Sequence, residues 1–71
     1  MDTKEGAPTK PLIIDLSRID GNAFSIIAAI SKALRNAGAS KEYINGIQSE
    51  MTSSDYDHLL QIALREINKF A

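Results

Sequence analysis

Residues 20–38 read DGNAFSIIAAISKALRNAG, and this stretch decides the fold. Asp20-Gly21-Asn22 is a turn signal. Asn22 is placed to cap a helix by accepting from the backbone of Phe24 or Ser25, with Asp20 as the alternative cap. Ala23, Ile27, Ile30 and Leu34 then recur at helical spacing down one face. Ile26, Ala33 and Ala37 widen that stripe, Phe24 lies on its other edge, and Ser25, Lys32, Arg35 and Asn36 fall opposite. Gly38 follows the last periodic residue, where a left-handed C-terminal cap belongs. An amphipathic helix of this kind must bury its stripe against something, and the flanking sequence supplies the partners.

Downstream, Ser40 caps a second helix from Lys41 to about Met51, with Glu42 favourably near its N-terminus. Its apolar stripe is Tyr43, Ile44, Ile47 and Met51. Gly46 interrupts it at a cost of about 1 kcal/mol relative to alanine, so either another backbone approaches closely there or the helix is weak and bends. Thr52 to Asp55 forms the next turn. Ser54, with Asp57 three residues on, resembles a capping box in which Asp replaces the usual Glu. The third helix spans about Asp55 to Phe70 and presents Tyr56, Leu59, Leu60, Ala63, Leu64, Ile67 and Phe70 on one broad face. Ile62 falls on the other side, beside His58, Arg65 and Glu66, as the large apolar residue expected outside the main stripe.

Upstream, Leu12, Ile13, Ile14, Asp15 and Leu16 form a short aliphatic run in which Leu12, Ile14 and Leu16 alternate onto one face, the pattern of an extended strand. Pro11 suits the first residue of a strand, where its missing donor does least harm. Met1 to Lys10 holds Gly6, Pro8 and polar side chains with little to bury, and reads as a flexible N-terminal tail. The expected fold is therefore mainly α: a short N-terminal β-strand followed by a three-helix bundle, with residues 11–71 as a single small helical domain. One strand has no mate within such a chain, yet its backbone groups need partners. Pairing with the same strand of a second copy would give a two-fold homodimer. The plainer alternative is an extended arm lying on the helices, its backbone bonded to water.

Composition narrows the function classes. At 71 residues the chain is near the lower limit for a domain with one core, and it holds no cysteine, so neither a disulfide framework nor a thiolate metal site is available. No apolar run approaches the ~20 residues that span a bilayer. The first ten residues lack the apolar stretch of a signal peptide, so no membrane association and a cytoplasmic location are expected. With a net charge of -1 and the eight basic residues spread along the chain, nucleic acid is not the expected partner.

Candidate chemistry is thin. The single histidine, His58, lies between Asp57 and Leu59. A general base or metal ligand would need convergent partners, whereas carboxylates in a first helical turn are explained by capping and the helix dipole. Asp15 and Asp20 would need to flank a deep cleft to act as a glycosidase-like pair, and a domain this small rarely has one. Neither a P-loop nor a dinucleotide-binding glycine pattern occurs. The chain reads as non-enzymatic, with no cofactor and no metal site.

Asp20-Gly21-Asn22-Ala23-Phe24 and Asp55-Tyr56-Asp57-His58-Leu59-Leu60 together resemble a family of short uncharacterised bacterial and phage proteins that carry D-G-N-A-F and, downstream, G-D-Y-D-H-L-L. The resemblance covers roughly Leu12 to Leu64, and Ser54 stands where that pattern has glycine. It implies a compact stand-alone protein of phage or mobile-element origin and brings no activity with it. The motif residues also have a physical reading. Asn22 and Ser54 start helices, and Phe24, Tyr56, Leu59 and Leu60 pack where the first and third helices meet. Alternatively, Tyr56, Asp57 and His58 form a small polar recognition patch with Asp20 nearby.

The expected function is thus that of a protein–protein interaction protein, associating with itself or another protein through Leu12, Ile13, Ile14, Asp15 and Leu16, with Ile62 adding to the surface. The alternative is a small DNA-binding transcriptional regulator in which the second and third helices act as a helix-turn-helix, with Lys41, Arg65 and Lys69 on the phosphates. Against it, the third helix opens on Asp55, Tyr56 and Asp57, which would repel phosphate.

Overall fold

Each helix starts at a side chain that accepts from the backbone N–H of the third residue of its first turn. In the computed structural model, which describes residues 6–70 apart from the side chain of Leu16, Asn22 Oδ1 accepts from Ser25 N at 2.8 Å and opens α1, Ala23–Asn36. Ser40 Oγ accepts from Tyr43 N at 3.1 Å and opens α2, Lys41–Met51. The third cap is Asp55, whose Oδ1 accepts from His58 N at 2.9 Å and opens α3, Tyr56–Lys69. Ser54 is therefore not the cap. The next residue offers a charged acceptor to the positive end of the helix, the stronger of the two options. Gly38 ends the first helix at φ +93°, a backbone conformation that a side chain would strain. Gly46 has open space where a Cβ would stand, so no neighbouring backbone accounts for it, and α2 runs unbroken through it.

The core lies among the three helices, each of which packs on the other two. Ile26, Ile30, Ala33 and Leu34 come from α1, Ile44, Ile47 and Met51 from α2, and Leu59, Ile62 and Ala63 from α3. Ile62 is only 6% exposed, which corrects its expected surface position, while Leu64, expected in the stripe, is 48% exposed. The helix has turned by most of one residue's rotation, so that Leu59, Ile62, Ala63 and Glu66 face inward. A charged residue at Glu66 argued against that face. Burial is tolerated because Glu66 Oε1 accepts from the Tyr43 hydroxyl at 2.6 Å and Glu66 Oε2 from Arg65 Nε at 3.4 Å. A second polar tie joins α1 to α2: Gln48 Nε2 donates to Ser31 Oγ at 2.7 Å, and that hydroxyl donates to Ile27 O at 2.7 Å.

The N-terminal strand is the principal correction. Among the described residues there is no β-strand; residues 11–15 carry no ladder, and Leu16–Arg18 is a short 3-10 turn. Asp15 starts that turn, its Oδ1 accepting from Ser17 N at 3.1 Å and Ser17 Oγ at 2.6 Å. The alternation survives in part: Leu12 is buried, Ile13 is 91% exposed and Ile14 packs partly against the core. The backbone of this arm is held by its own chain. Leu12 N donates to Phe70 O at 2.8 Å, using one of the carbonyls left free at the end of α3. Further upstream, Thr9 N and Lys10 N both donate to Ala37 O, at 2.8 and 3.1 Å, and Ser40 N donates to Gly6 O at 2.8 Å. Residues 6–10, read from composition as tail, are thus docked at the corner between α1 and α2. Residues 1–5 of that expected tail lie outside the described part.

Candidate functional site

The starts of α1 and α3 lie together: the residues that open both helices line one groove and are bonded to each other across it. This brings together the two sequence blocks that stand far apart in the chain. The Tyr56 hydroxyl donates to the Gly21 carbonyl, tying the start of α3 to the start of α1. On the other side of that carbonyl, Asn22 Nδ2 donates to Asp20 Oδ2 at 3.0 Å and steadies the turn.

Between these helix starts lies an open groove of about 280 Å³. Ile27, Met51 and Leu59 line it, Met51 and Leu59 being buried, and Tyr56 and Phe24 complete its walls. Phe24 stands 85% exposed. This corrects the expectation that it packs between the first and third helices: the groove leaves the ring beside the core rather than in it. The volume falls just short of the ~300–1,000 Å³ usual for small-molecule pockets, so the groove suits side chains of a partner better than a free ligand.

The charges around it share one sign. Asp20, Asp55 and Asp57 are all exposed at these helix starts, and neither residues 20–31 nor residues 51–64 contain a lysine or arginine. Asp55 is occupied as a cap; Asp57 lies in the first turn of α3, where the helix dipole favours it. His58 is half-buried, with Nε2 3.4 Å from Ser53 Oγ, and Ser53 Oγ donates to Glu50 O at 2.7 Å. No group of three or more His, Asp or Glu comes together among the described residues to hold a metal ion. Asp15 and Asp20 each bond within their own turn, Asp15 with Ser17 and Asp20 with Asn22. Of the expected patch of Tyr56, Asp57 and His58 with Asp20 nearby, the Tyr56 hydroxyl reaches the Gly21 carbonyl next to Asp20, while His58 turns to Ser53.

The residues expected to mediate association are dispersed. Leu12 and Ile62 are in the core and offer no surface. Ile13 projects fully, beside a second groove of about 340 Å³ that Ile14, Asp15 and Arg18 also line, together with Lys32 and Asn36 of α1. Its charges are mixed. Of Leu16, only the backbone is described, within the 3-10 turn. With Leu12 N–H bonded to Phe70 O, the argument that this segment requires a second copy loses its premise.

The cations of the DNA-binding alternative do not gather at the start of α3. Arg65 Nη2 donates to Glu50 Oε2 at 2.7 Å, which with the neighbouring carboxylates holds its guanidinium above its ordinary pKa, while Lys41 and Lys69 stand at the end of the bundle opposite the Asp55 cap. No helix among the described residues is long and apolar enough to cross a membrane. No protein-family model, curated protein or solved structure matches this chain.

Sequence reasoning missed Phe24 as an exposed ring and the groove itself. A signal existed: Phe24 sits on the edge of the α1 stripe, and beyond Ile27 its side of the helix continues with Ala28 and Ser31 four and seven residues on.

Proposed function

We propose that this protein is a small non-enzymatic interaction module whose contact surface is the groove between the starts of α1 and α3. The observation that carries the reading is Phe24, a large aromatic ring 85% exposed at the wall of an apolar groove in a chain whose other Phe is half-buried. Fully burying such a side chain is worth roughly 1.5–3 kcal/mol. A domain of this size gains nothing in its own fold from leaving it in water. Aromatic residues beside a preformed apolar pocket are where binding energy concentrates in protein interfaces. Tyr56 is held in place by the Gly21 carbonyl, so the groove is formed before a partner arrives. This reading moves the contact surface from the arm at Leu12 to Leu16 to the other end of the bundle.

Replacing Phe24 by a photo-crosslinking phenylalanine analogue, in cells that naturally express the protein, tests it. A discrete protein adduct is expected from position 24 and not from the same analogue placed at exposed Lys32. Equal labelling from both positions, or none from position 24, rejects the groove as a contact surface.

A further inference from the structure

Resting on the groove as the contact surface, we infer that its occupant is a cationic segment of another protein, in which one bulky apolar side chain enters the groove between lysines or arginines. The apolar part follows from the lining: Ala23, Phe24, Ile27, Met51, Tyr56 and Leu59 make most of it, and Asp55 is its one charged residue. The cationic part follows from the carboxylates of these helix starts, of which Asp55 lines the groove and is exposed. Asp20 immediately precedes the glycine whose carbonyl holds Tyr56, Asp57 immediately follows Tyr56, and both carboxylates face water. The two chain segments that build this end, residues 20–31 and 51–64, bring no lysine or arginine to offset them. The described positive charges lie elsewhere: Lys10, Arg35, Lys41 and Lys69 toward the opposite end, Arg18 and Lys32 on the second groove beside Ile13, and Arg65 bonded to Glu50. An acidic or neutral segment entering the groove would leave these carboxylates facing like charge or nothing, whereas a cationic one is attracted before contact and held in register after it.

A second copy of this chain is the poorer occupant. The most exposed apolar residue it could insert, Ile13, lies two residues before Asp15, and the arm bearing it is docked on its own helices. The volume of about 280 Å³ also suits one or two side chains rather than a whole helix face.

Selection of a random dodecapeptide display library against the intact protein tests the inference, with sedimentation of the protein alone alongside. Enriched peptides are expected to carry net positive charge around one Leu, Ile, Phe or Trp and to lose at least tenfold in affinity against Phe24→Ser. Their affinity should fall several-fold between 50 and 300 mM salt for the wild type and much less for the Asp20→Asn, Asp57→Asn double variant. Circular dichroism of each variant confirms that it is folded. Peptides that need Phe24 but are neutral or acidic, or whose affinity ignores salt, overturn the cationic occupant while leaving the groove as a binding surface. If no enriched peptide depends on Phe24, the groove itself falls. A wild-type dimer that becomes a monomer on Phe24→Ser would give the groove to a second copy and overturn the inference.

Discussion

Glu66 and Tyr43 show how one contact can set the orientation of a helix. Glu66 is fully buried and takes the Tyr43 hydroxyl at 2.6 Å, while the Tyr43 ring meets Phe70 edge-on, centroids 6.3 Å apart. Burial, then the hydrogen bond to Glu66 and its charge, raise the phenol pKa well above the ordinary tyrosine value of about 10. The neutral phenol is therefore the form the fold prefers. Its contribution is complete below the unfolded pKa near 10 and is lost as pH climbs above it. Thermal melts from pH 8 to 11.5 should show the wild type losing stability above pH 10 more steeply than Tyr43→Phe. At pH 7 the same substitution, which strips a buried carboxylate of its best donor, is expected to cost about 1–3 kcal/mol in urea unfolding. Equal slopes in the two proteins above pH 10 would mean that the hydroxyl does not sense Glu66. By contrast, the exposed Arg65–Glu50 pair, half open to water on both sides, contributes little, as surface pairs do.

The helices are local objects, and their ends are where local chemistry is tested. Asp55 rather than Ser54 caps α3, so Asp55→Ala should destabilise the protein by about 1 kcal/mol, while Ser54→Ala stays within about 0.5 kcal/mol, as exposed surface changes do. A larger loss at Ser54 would restore the capping box. Within α2, Gly46 is exposed, helical and faces open space. Gly46→Ala should therefore raise stability by roughly 0.5–1 kcal/mol, read as a higher melting temperature; a fall would reveal a role that the backbone does not show. Asn22, Ser40 and Gly38 were legible because capping and left-handed geometry depend on residues within one turn of each other. The face of α3 was not. Two stripes fit its sequence, one through Leu60 and Leu64, the other through Ile62 and Glu66, and hydrophobicity alone prefers the first. The second is adopted because a side chain from α2 satisfies Glu66.

At the scale of the molecule, the arm from Gly6 to Asp15 closes the bundle at the end opposite the groove. Its backbone is spent on Ala37, Ser40 and Phe70, and Leu12 inserts into the core. Leu12→Ala should cost about 2 kcal/mol or more in unfolding experiments, whereas Ile13→Ser, at a residue 91% exposed, should change stability by less than about 0.5 kcal/mol. Similar costs at both positions would mean that the arm is not seated as described. The candidate site was half legible: the D-G-N-A-F and D-Y-D-H-L-L blocks stood out as a pair, and a small polar patch of Tyr56, Asp57 and His58 with Asp20 nearby was one of two readings of them. What could not be read was that their junction leaves Phe24 outside the core, because an aromatic residue at the margin of a helical stripe packs or projects according to how closely the facing helix approaches.

The sequence by itself determined three helices, the caps of the first two and the absence of positive charge along the stretches that meet at one end, since each depends on neighbours along the chain and on residue type. Tertiary structure alone decided which side of α3 faces inward, that the aliphatic run after Pro11 lies as an arm instead of a strand, and that Gly21 and Tyr56 meet. Those outcomes rest on hydrogen bonds between groups far apart in the chain, Tyr43 to Glu66, Leu12 to Phe70 and Tyr56 to Gly21, and no local periodicity encodes which distant donor a buried acceptor will find.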